Sequence, residues 1–287
     1  MILVTGASGL VGGEVVRQLS GQNVPVRALV RDPGRAPGLA SLPCVQVITG
    51  DLGRPETIGP ALEDVGQAVL VSSSDASMAE VQNSFIDTAA KAGVGHVIKL
   101  SGIIPGLDSP FRFARMHAEI EEHLAASGMT YTMLRAGEFM QAYFRQVPNI
   151  KARRELRLPM AGQRTASIDI IDIAAVAVRV LTGTGHENQT YPITGPQALT
   201  MAEVAEILSG VIGTAIRYVD VPPEAARQAR LDAGMPRYLA DGLAELFAER
   251  RAGKESVVSP LTPTLLGRPA TSFAEFAARN ATVFRGA

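Results

Sequence analysis

Three glycines near the start of the chain have the spacing of a turn that binds phosphate groups. The stretch Thr5-Gly6-Ala7-Ser8-Gly9-Leu10-Val11-Gly12 directly follows the apolar residues 2–4 and opens an amphipathic segment. Gly6 permits unusual backbone angles, Gly9 lets the backbone approach a diphosphate, and Gly12 allows close packing of a helix on a strand. The amide groups and the dipole at a helix start favour negative charge. Residues 6–12 therefore predict a pyrophosphate site; a glycine-rich turn without a ligand is the alternative.

The second apolar run ends in Val30-Arg31-Asp32, at the place where a dinucleotide-binding fold holds the adenosine ribose. An acidic residue there binds both ribose hydroxyls, whereas a basic residue neutralises a 2′-phosphate. A guanidinium can bind phosphate through two parallel hydrogen bonds. Arg31, with Arg35 four residues later, therefore favours NADPH over NADH. Asp32 leaves open the alternative of a solvated Arg31–Asp32 pair.

Polar residues also end the next two apolar runs. Asp51, followed by Leu52, ends the third run, where a carboxylate can accept a bond from the adenine amino group. Ser72 and Ser73 end the fourth run. Because ligands bind at the carboxyl ends of strands in open α/β sheets, these four residues are predicted to line the dinucleotide site. Each of them alone could be an ordinary turn residue.

These residues need a parallel sheet to bring them together, and the first half of the chain has the pattern for one. Short apolar runs alternate with longer amphipathic segments, as in a sheet covered by helices on both faces. Strands are predicted at residues 2–5, 26–30, 45–49, 68–72, 96–101 and 131–135, and helices at 11–19, 57–62, 78–92 and 113–126. The alternation predicts an α/β fold in which residues 1–136 form a Rossmann-type, doubly wound parallel sheet.

The pattern changes in residues 137–287, which are predicted to form a smaller, mostly helical substrate lobe that contributes some elements back to the main domain. A helix is expected at 173–181 with Asp172 as its N-cap, and Thr200 and Ser272 have capping-box spacing. A strand-like run at 216–219 precedes Pro222-Pro223-Glu224, which starts another helix. Such a lobe is expected to cover the cofactor and shape a substrate pocket.

Composition argues against several classes of function. The 287 residues include 27 basic and 28 acidic side chains, and a net charge of −1 gives no indication of binding to nucleic acid or to an anionic membrane. No apolar run has the length of a signal peptide or a membrane span. One cysteine, Cys44, and four scattered histidines give no zinc-binding spacing and suit a reducing compartment. We expect a cytoplasmic monomer or homodimer without a metal.

Longer stretches resemble the NmrA-like group of atypical short-chain dehydrogenase/reductases. Besides the glycine turn, the similar stretches are Val30-Arg31-Asp32, Gly50-Asp51-Leu52, Gly93-Val94-Gly95-His96-Val97, Gly128-Met129-Thr130-Tyr131-Thr132-Met133-Leu134-Arg135 and Gly185-His186-Glu187-Asn188-Gln189-Thr190-Tyr191. The resemblance spans nearly the whole chain and is greatest to quinone oxidoreductases, triphenylmethane dye reductases and NAD(P)H azoreductases. It implies hydride transfer from NADPH to a small conjugated acceptor such as a quinone, an azo compound or an aromatic dye.

The resemblance also points to candidate catalytic residues. Most short-chain dehydrogenases use a Tyr-x-x-x-Lys pair in which the tyrosine exchanges a proton. The matching segment here is Phe113-Ala114-Arg115-Met116-His117, and phenylalanine has no proton to give. Hydride transfer to a quinone or a cationic dye does not need a strong protein acid, so the loss of the tyrosine is compatible with reductase activity.

Two other residues of this region are expected to take part. Ser101 occupies the family's serine position and is expected to bond the substrate or the nicotinamide carboxamide. His117 is expected to bind the nicotinamide ribose or to supply a proton, since imidazole titrates near neutrality. The alternative for His117 is a place on the solvated face of a helix that also carries several glutamates.

The segment that follows the sixth predicted strand lies where this fold places its substrate loop. Phe139, Tyr143 and Phe144 could stack on a planar acceptor, and packing within the lobe is the alternative. Glu138 is expected to face the nicotinamide or to be solvated. Glu138, Phe139 and Tyr143 are the candidate substrate-binding residues.

Two classes of function remain open at this point. The first is an NAD(P)H-dependent reductase that works without the Tyr-x-x-x-Lys pair. The second is a non-catalytic NADP(H)-sensing regulator that binds a protein partner, because the NmrA-like group includes such regulators and they also lack the tyrosine. The substrate lobe, complete through its final predicted helix, favours the enzyme. Phe113 weakens a third interpretation, a sugar epimerase or sugar reductase.

Overall fold

The computed structural model describes residues 1–286, and each strand predicted in the first half of the chain is present within two residues of its predicted ends. The strands are β1 (Ile2–Val4), β2 (Val26–Val30), β3 (Val45–Thr49), β4 (Gln67–Leu70), β5 (His96–Gly102), β6 (Thr130–Ala136), β7 (Glu155–Leu158), β8 (Arg164–Thr165), β9 (Gln189–Ile193), β10 (Leu199–Thr200) and β11 (Arg217–Asp220). Continuous apolar runs such as Ile2, Leu3 and Val4 are buried, as in strands covered on both faces.

Seven strands form the main sheet, in the order β3-β2-β1-β4-β5-β6-β9. β1 is parallel both to β2 and to β4, with Leu3 opposite Arg27 on one side and Ala68 on the other. The strand order therefore reverses its direction of progression at β1, which is the switch point where open α/β sheets bind ligands. The predicted Rossmann-type α/β fold is confirmed.

The predicted helices are present except at two places, and the second half contains further helices that were not predicted individually. They are α1 (Leu10–Gly21), α2 (Met78–Lys91), α3 (Arg112–Ala126), α4 (Val147–Arg153), α5 (Ile170–Thr182), α6 (Met201–Ile212), α7 (Pro223–Asp232), α8 (Arg237–Arg251), α9 (Leu261–Leu266), α10 (Phe273–Arg279) and α11 (Ala281–Arg285). Thr200 and Ser272 each form the predicted capping box. No helix within residues 1–286 is long and apolar enough to cross a membrane.

The two wrong predictions have local causes. Residues 57–62 were predicted as one helix, but the chain forms two short 3-10 helices, Pro55–Thr57 and Gly59–Leu62. Pro60 lacks an amide donor and sits in the first turn of the second one, so a continuous helix is interrupted there. Asp172 was predicted as an N-cap, but α5 already begins at Ile170, and Asp172 is fully buried inside its first turn.

The chain divides into two compact units. The first comprises Met1–Ser109, Phe113–Arg135 and Ile170–Tyr191, and the second comprises Pro110–Arg112, Ala136–Asp169 and Pro192–Ala287. In the first unit α5 packs against α1, and the Gln18 side-chain amide donates to the Ile171 carbonyl at 3.0 Å. The second unit has its own core, in which Phe273, Phe276 and Phe284 are almost completely buried.

Candidate functional site

The glycine turn between β1 and α1 leaves no room for side chains. Gly6 has a φ of +58°, and a Cβ there would lie 2.8 Å from the Val71 carbonyl oxygen. A Cβ on Gly12 would lie 2.4 Å from the Gly6 carbonyl oxygen and 2.8 Å from that of Thr5. Both distances are far below van der Waals contact, so glycine is required at both positions for the helix to start this close to the strand.

The start of α1 presents amide groups without competition from the protein's own side chains. Gly9 is the N-cap, so no side chain caps the helix, and its first turn contains no acidic residue. The amides of Leu10, Val11 and Gly12 belong to the helix start, where no carbonyl partner exists within the helix. The positive end of the dipole is therefore free to stabilise an anion.

A cleft with a volume of ≈ 280 Å³ opens beside this turn. Its lining combines predicted residues with some that sequence reasoning missed: Ala7, Ser8, Gly9, Gly13, Arg17, Arg35, Ala36, Gly38, Leu39 and Leu42. Arg17, the main omission, forms an ion pair with Glu14 at 3.0 Å and remains about half exposed. A residue four positions after Gly13 lies on the same face of a helix, so this spacing could have identified it.

Arg31 is exposed at the end of β2, and Asp32 does not pair with it. Instead, a carboxylate oxygen of Asp32 accepts a hydrogen bond from the Gly34 amide at 2.9 Å and caps the 3-10 turn Pro33–Arg35. Among residues 1–286 Arg31 forms no ion pair. Burial raises the pKa of Asp75, but hydrogen bonds from Ser77 and Ser73 and the charge of Arg31 outweigh burial and lower it. The Arg31–Asp32 pair proposed as an alternative is therefore wrong, and the charge of Arg31 instead contributes to lowering the pKa of Asp75.

The other predicted dinucleotide-binding residues have local partners. Asp51 accepts a hydrogen bond from the Gly53 amide at 3.0 Å, with Leu52 half-buried between them. The Ser72 hydroxyl accepts a hydrogen bond from the Gln82 amide at 2.8 Å, and the Ser73 hydroxyl donates to Asp75 at 2.7 Å. The sheet brings the ends of β3 and β4 to the same edge as the glycine turn. Their contact with a dinucleotide stays a prediction.

Ser101 lies near the end of β5 and is buried. Its hydroxyl donates to a carboxylate oxygen of Glu121 at 2.6 Å, and Glu121 in turn forms an ion pair with Arg135 at 2.5 Å. The hydroxyl proton is thus already used inside the protein. In this arrangement Ser101 can bond a substrate or the nicotinamide carboxamide only as an acceptor, and that contact stays a prediction.

His117 on α3 contacts Lys99 on β5 instead of facing solvent. Lys99 Nζ lies 2.9 Å from His117 Nδ1, within hydrogen-bond distance, and Lys99 itself is completely buried. Burial, reinforced by the charge of Lys99, holds the pKa of His117 well below its ordinary value. The solvated-face alternative is therefore wrong. His117 is therefore neutral at physiological pH, and its expected role in binding the nicotinamide ribose or supplying a proton stays a prediction.

Lys99 was missed by sequence reasoning. Burial lowers its pKa to about 7, although the nearby carboxylate of Glu121 acts in the opposite direction. The signal was present in the strand His96–Gly102, where Lys99 interrupts the apolar residues Val97, Ile98 and Leu100. A buried lysine is rare and marks a position where the charge has a specific partner.

The segment predicted to bind substrate belongs to the second unit. Glu138 is not solvated, because it forms an ion pair with the buried Arg250 at 2.6 Å. Tyr143 is 3% exposed, and its ring packs edge-on against Phe273 with 5.0 Å between ring centroids. The stacking role expected for Tyr143 is therefore corrected to a packing role. Phe139 is half-buried at the start of a 3-10 helix, and its substrate contact stays a prediction.

Comparison with known proteins extends these observations. The chain is 40% identical over 287 residues to an NAD(P)H azoreductase of Xenophilus azovorans, with all of both chains covered. A structure of an Escherichia coli NADPH-dependent quinone oxidoreductase in complex with NADPH matches with a TM-score of 0.88 and 30% identity, covering 97% of this chain and 99% of that one. A triphenylmethane reductase of Citrobacter sp. in complex with NADP(H) matches with a TM-score of 0.87 and 27% identity over 98% and 100% of the two chains.

The match to a protein family agrees with these similarities. Residues 1–265 match the family described as NmrA-like. This segment includes the glycine turn, the Lys99–His117 pair and most of the second unit. The chain belongs to the NmrA-like family.

Proposed function

We propose that the chain is an NADPH-dependent oxidoreductase that transfers hydride to a conjugated acceptor such as a quinone, an azo compound or an aromatic dye. The observation that carries the proposal is the turn at residues 6–12, where glycines are required sterically and the helix start has no acidic side chain in its first turn. The names of the relatives support the same chemistry, since they are an NAD(P)H azoreductase, a quinone oxidoreductase and a triphenylmethane reductase.

The residues of the first unit fit NADPH. Ser8, Gly9 and the first amides of α1 would hold the pyrophosphate, because the close backbone packing at Gly6 and Gly12 sets the start of α1 at the strand end and no side chain caps its amides. Arg31 and Arg35 would hold the 2′-phosphate, since Asp32 is used in a turn and does not neutralise Arg31. Asp51 would accept from the adenine amino group. When bound, the reduced nicotinamide supplies the hydride.

The chain's own contribution to the reaction is binding, orientation and a neutral hydrogen-bond donor. Phe113 is buried at the position of the usual tyrosine, so no phenol is present there. His117 lies beside Gly102 at the carboxyl end of β5, where a Cβ on Gly102 would be 3.1 Å from the imidazole ring. We assign His117 as the group that bonds the nicotinamide ribose or the acceptor. The acceptor itself is a small conjugated molecule, and we expect a cytoplasmic monomer or homodimer.

A regulator that binds NADP(H) and a protein partner without turnover is the competing function. Three relatives that are 32–40% identical to this chain are reductases or oxidoreductases, which favours the enzyme. The test is to titrate the purified protein with NADPH in a calorimeter and then to follow loss of NADPH absorbance with a naphthoquinone, an azo dye and a cationic triphenylmethane dye. Turnover with at least one acceptor is expected. Tight binding without turnover would favour the regulator, and no binding of NADPH or NADH would overturn both.

A further inference from the structure

The Lys99–His117 contact determines which nitrogen of the imidazole carries a proton. A lysine ammonium has three donors and no acceptor, so the atom it contacts must accept. Here that atom is Nδ1 of His117, at 2.9 Å from Lys99 Nζ. In a neutral imidazole one ring nitrogen is protonated, and the proton must then be on Nε2. While Lys99 is protonated, the contact therefore makes His117 an Nε2–H donor.

The position of the Lys99–His117 pair places the Nε2–H donor of His117 near the ligand-binding edge of the sheet. Lys99 is 0% exposed, and Nζ also donates to the Leu100 carbonyl at 3.3 Å, so Lys99 acts on its surroundings through His117. His117 is partly exposed, and a Cβ on Gly102 would be 3.7 Å from Nε2. Gly102 ends β5, at the sheet edge where ligands bind in this fold.

Two other charged side chains, Glu121 and Arg135, act on the Lys99–His117 pair, and they form an ion pair with each other. Glu121 on α3 raises the pKa of Lys99 and Arg135 on β6 lowers it, but burial is the largest effect and lowers it to about 7. Glu121 is bound by both Arg135 and Ser101 and does not contact Lys99 directly. His117 remains neutral through burial and the adjacent ammonium. A proton taken up near neutrality is therefore held on Lys99.

We propose that Lys99 is a positioning residue that fixes the tautomer of His117 and stores the proton consumed when the protein reduces a quinone. The inference rests on the proposed function and assigns its proton source. A quinone that accepts a hydride becomes a hydroquinone anion, which must gain one proton. The oxyanion takes the proton from His117 Nε2 while Nδ1 takes one from the Lys99 ammonium, leaving a neutral amine and a neutral imidazole. Solvent returns the proton through the partly exposed imidazole.

Two acceptors distinguish a proton supply from a structural role. A quinone needs a hydride and a proton, whereas a cationic triphenylmethane dye needs only a hydride to become neutral. Lys99→Met is expected to lower kcat for a naphthoquinone by about 10²-fold, the low end for proton-transfer catalysis, and to change kcat for the cationic dye by less than about threefold. Lys91→Met, at the exposed end of α2, is the matched control and should affect neither. Equal losses with both acceptors, or no loss with the quinone, would overturn the proposal.

The tautomer of His117 can be measured without any enzymatic turnover. Nitrogen-15 NMR of the wild-type protein below neutral pH should show His117 with a protonated Nε2 and an unprotonated Nδ1, and this reading needs no variant to fold. Lys99→Arg keeps a permanent charge that cannot release a proton, so it should preserve the tautomer while quinone turnover stays low. A protonated Nδ1 in the wild type would refute the inference while leaving the reductase function intact. If neither acceptor is reduced, the proposed function fails, yet the tautomer remains measurable.

Discussion

The hydroxyl of Thr5 makes two hydrogen bonds to a single residue, Val71. Its Oγ1 donates to the Val71 carbonyl at 2.7 Å and accepts from the Val71 amide at 2.8 Å. Thr5 is completely buried at the end of β1, and Val71 directly follows β4. The pair therefore joins the two strands at the switch point, and it fixes the carbonyl against which Gly6 turns.

Replacing Thr5 should weaken both stability and cofactor binding. Thr5→Val keeps the shape but removes the hydroxyl partner of the partly buried Val71 amide and carbonyl, which costs up to about 1–3 kcal/mol in the free energy of unfolding. Thr5→Ser retains the hydroxyl and should cost less. Urea denaturation measures the first effect, and calorimetric titration with NADPH measures the second. Equal stability of the valine and serine variants would show that the two bonds do not hold the turn.

The glycine turn offers a sharper test within one helix. In Gly12→Ala the new methyl group would lie 2.4 Å from the Gly6 carbonyl oxygen, so the turn must move and the helix start must shift away from the ligand. In Gly21→Ala nothing lies within 4 Å of the new methyl group, so binding should be unaffected. We expect at least about a tenfold loss of NADPH affinity, or about 1.4 kcal/mol, for the first variant only. An unchanged dissociation constant for Gly12→Ala would contradict the assigned phosphate site.

Preference for the phosphorylated dinucleotide should depend on Arg31. Arg31→Ala removes a charged donor, which corresponds to about 1.5–3 kcal/mol for a hydrogen bond to a charged group, and should weaken NADPH binding without changing NADH binding. Arg179→Ala removes an exposed arginine from α5 and serves as the control. Competition with 2′,5′-ADP and 5′-AMP gives an independent measurement. If the two nucleotides compete equally well with NADPH for the wild-type protein, Arg31 does not recognise the 2′-phosphate.

The sequence predicted the parallel sheet well because its signal is local. β2 and β3 are short runs of mostly apolar, β-branched residues interrupted by only one or two polar ones, and their predicted and observed bounds are the same. The glycine turn was equally predictable from the sequence, since each glycine meets a steric requirement within a few residues or against an adjacent strand. Capping boxes at Thr200 and Ser272 are local as well.

Side-chain pairings between distant segments were not predictable in the same way. Ser101 and Lys99 are on β5, and their partners Glu121 and His117 are on α3, about twenty residues away in the chain. Periodicity indicates which face of a helix is polar, but it does not show that a buried strand supplies a charge to that face. Tyr143 was similarly ambiguous, because an aromatic residue in a loop can bind a ligand or pack, and its partner Phe273 is 130 residues away.

The burial of Lys99 should also appear in the pH dependence of stability. Its pKa falls from 10.5 to about 7 in the folded protein, so between these values the unfolded chain binds more protons than the folded one. The free energy of unfolding therefore rises with pH across this range, by at most about 1.4 kcal/mol per pH unit. Lys99→Met should abolish this rise, whereas Lys91→Met should retain it, as measured by urea denaturation at several pH values. A wild-type protein whose stability has the same slope as that of Lys99→Met would mean that the buried ammonium is not destabilised, and the storage of a titratable proton on Lys99 would fail with it.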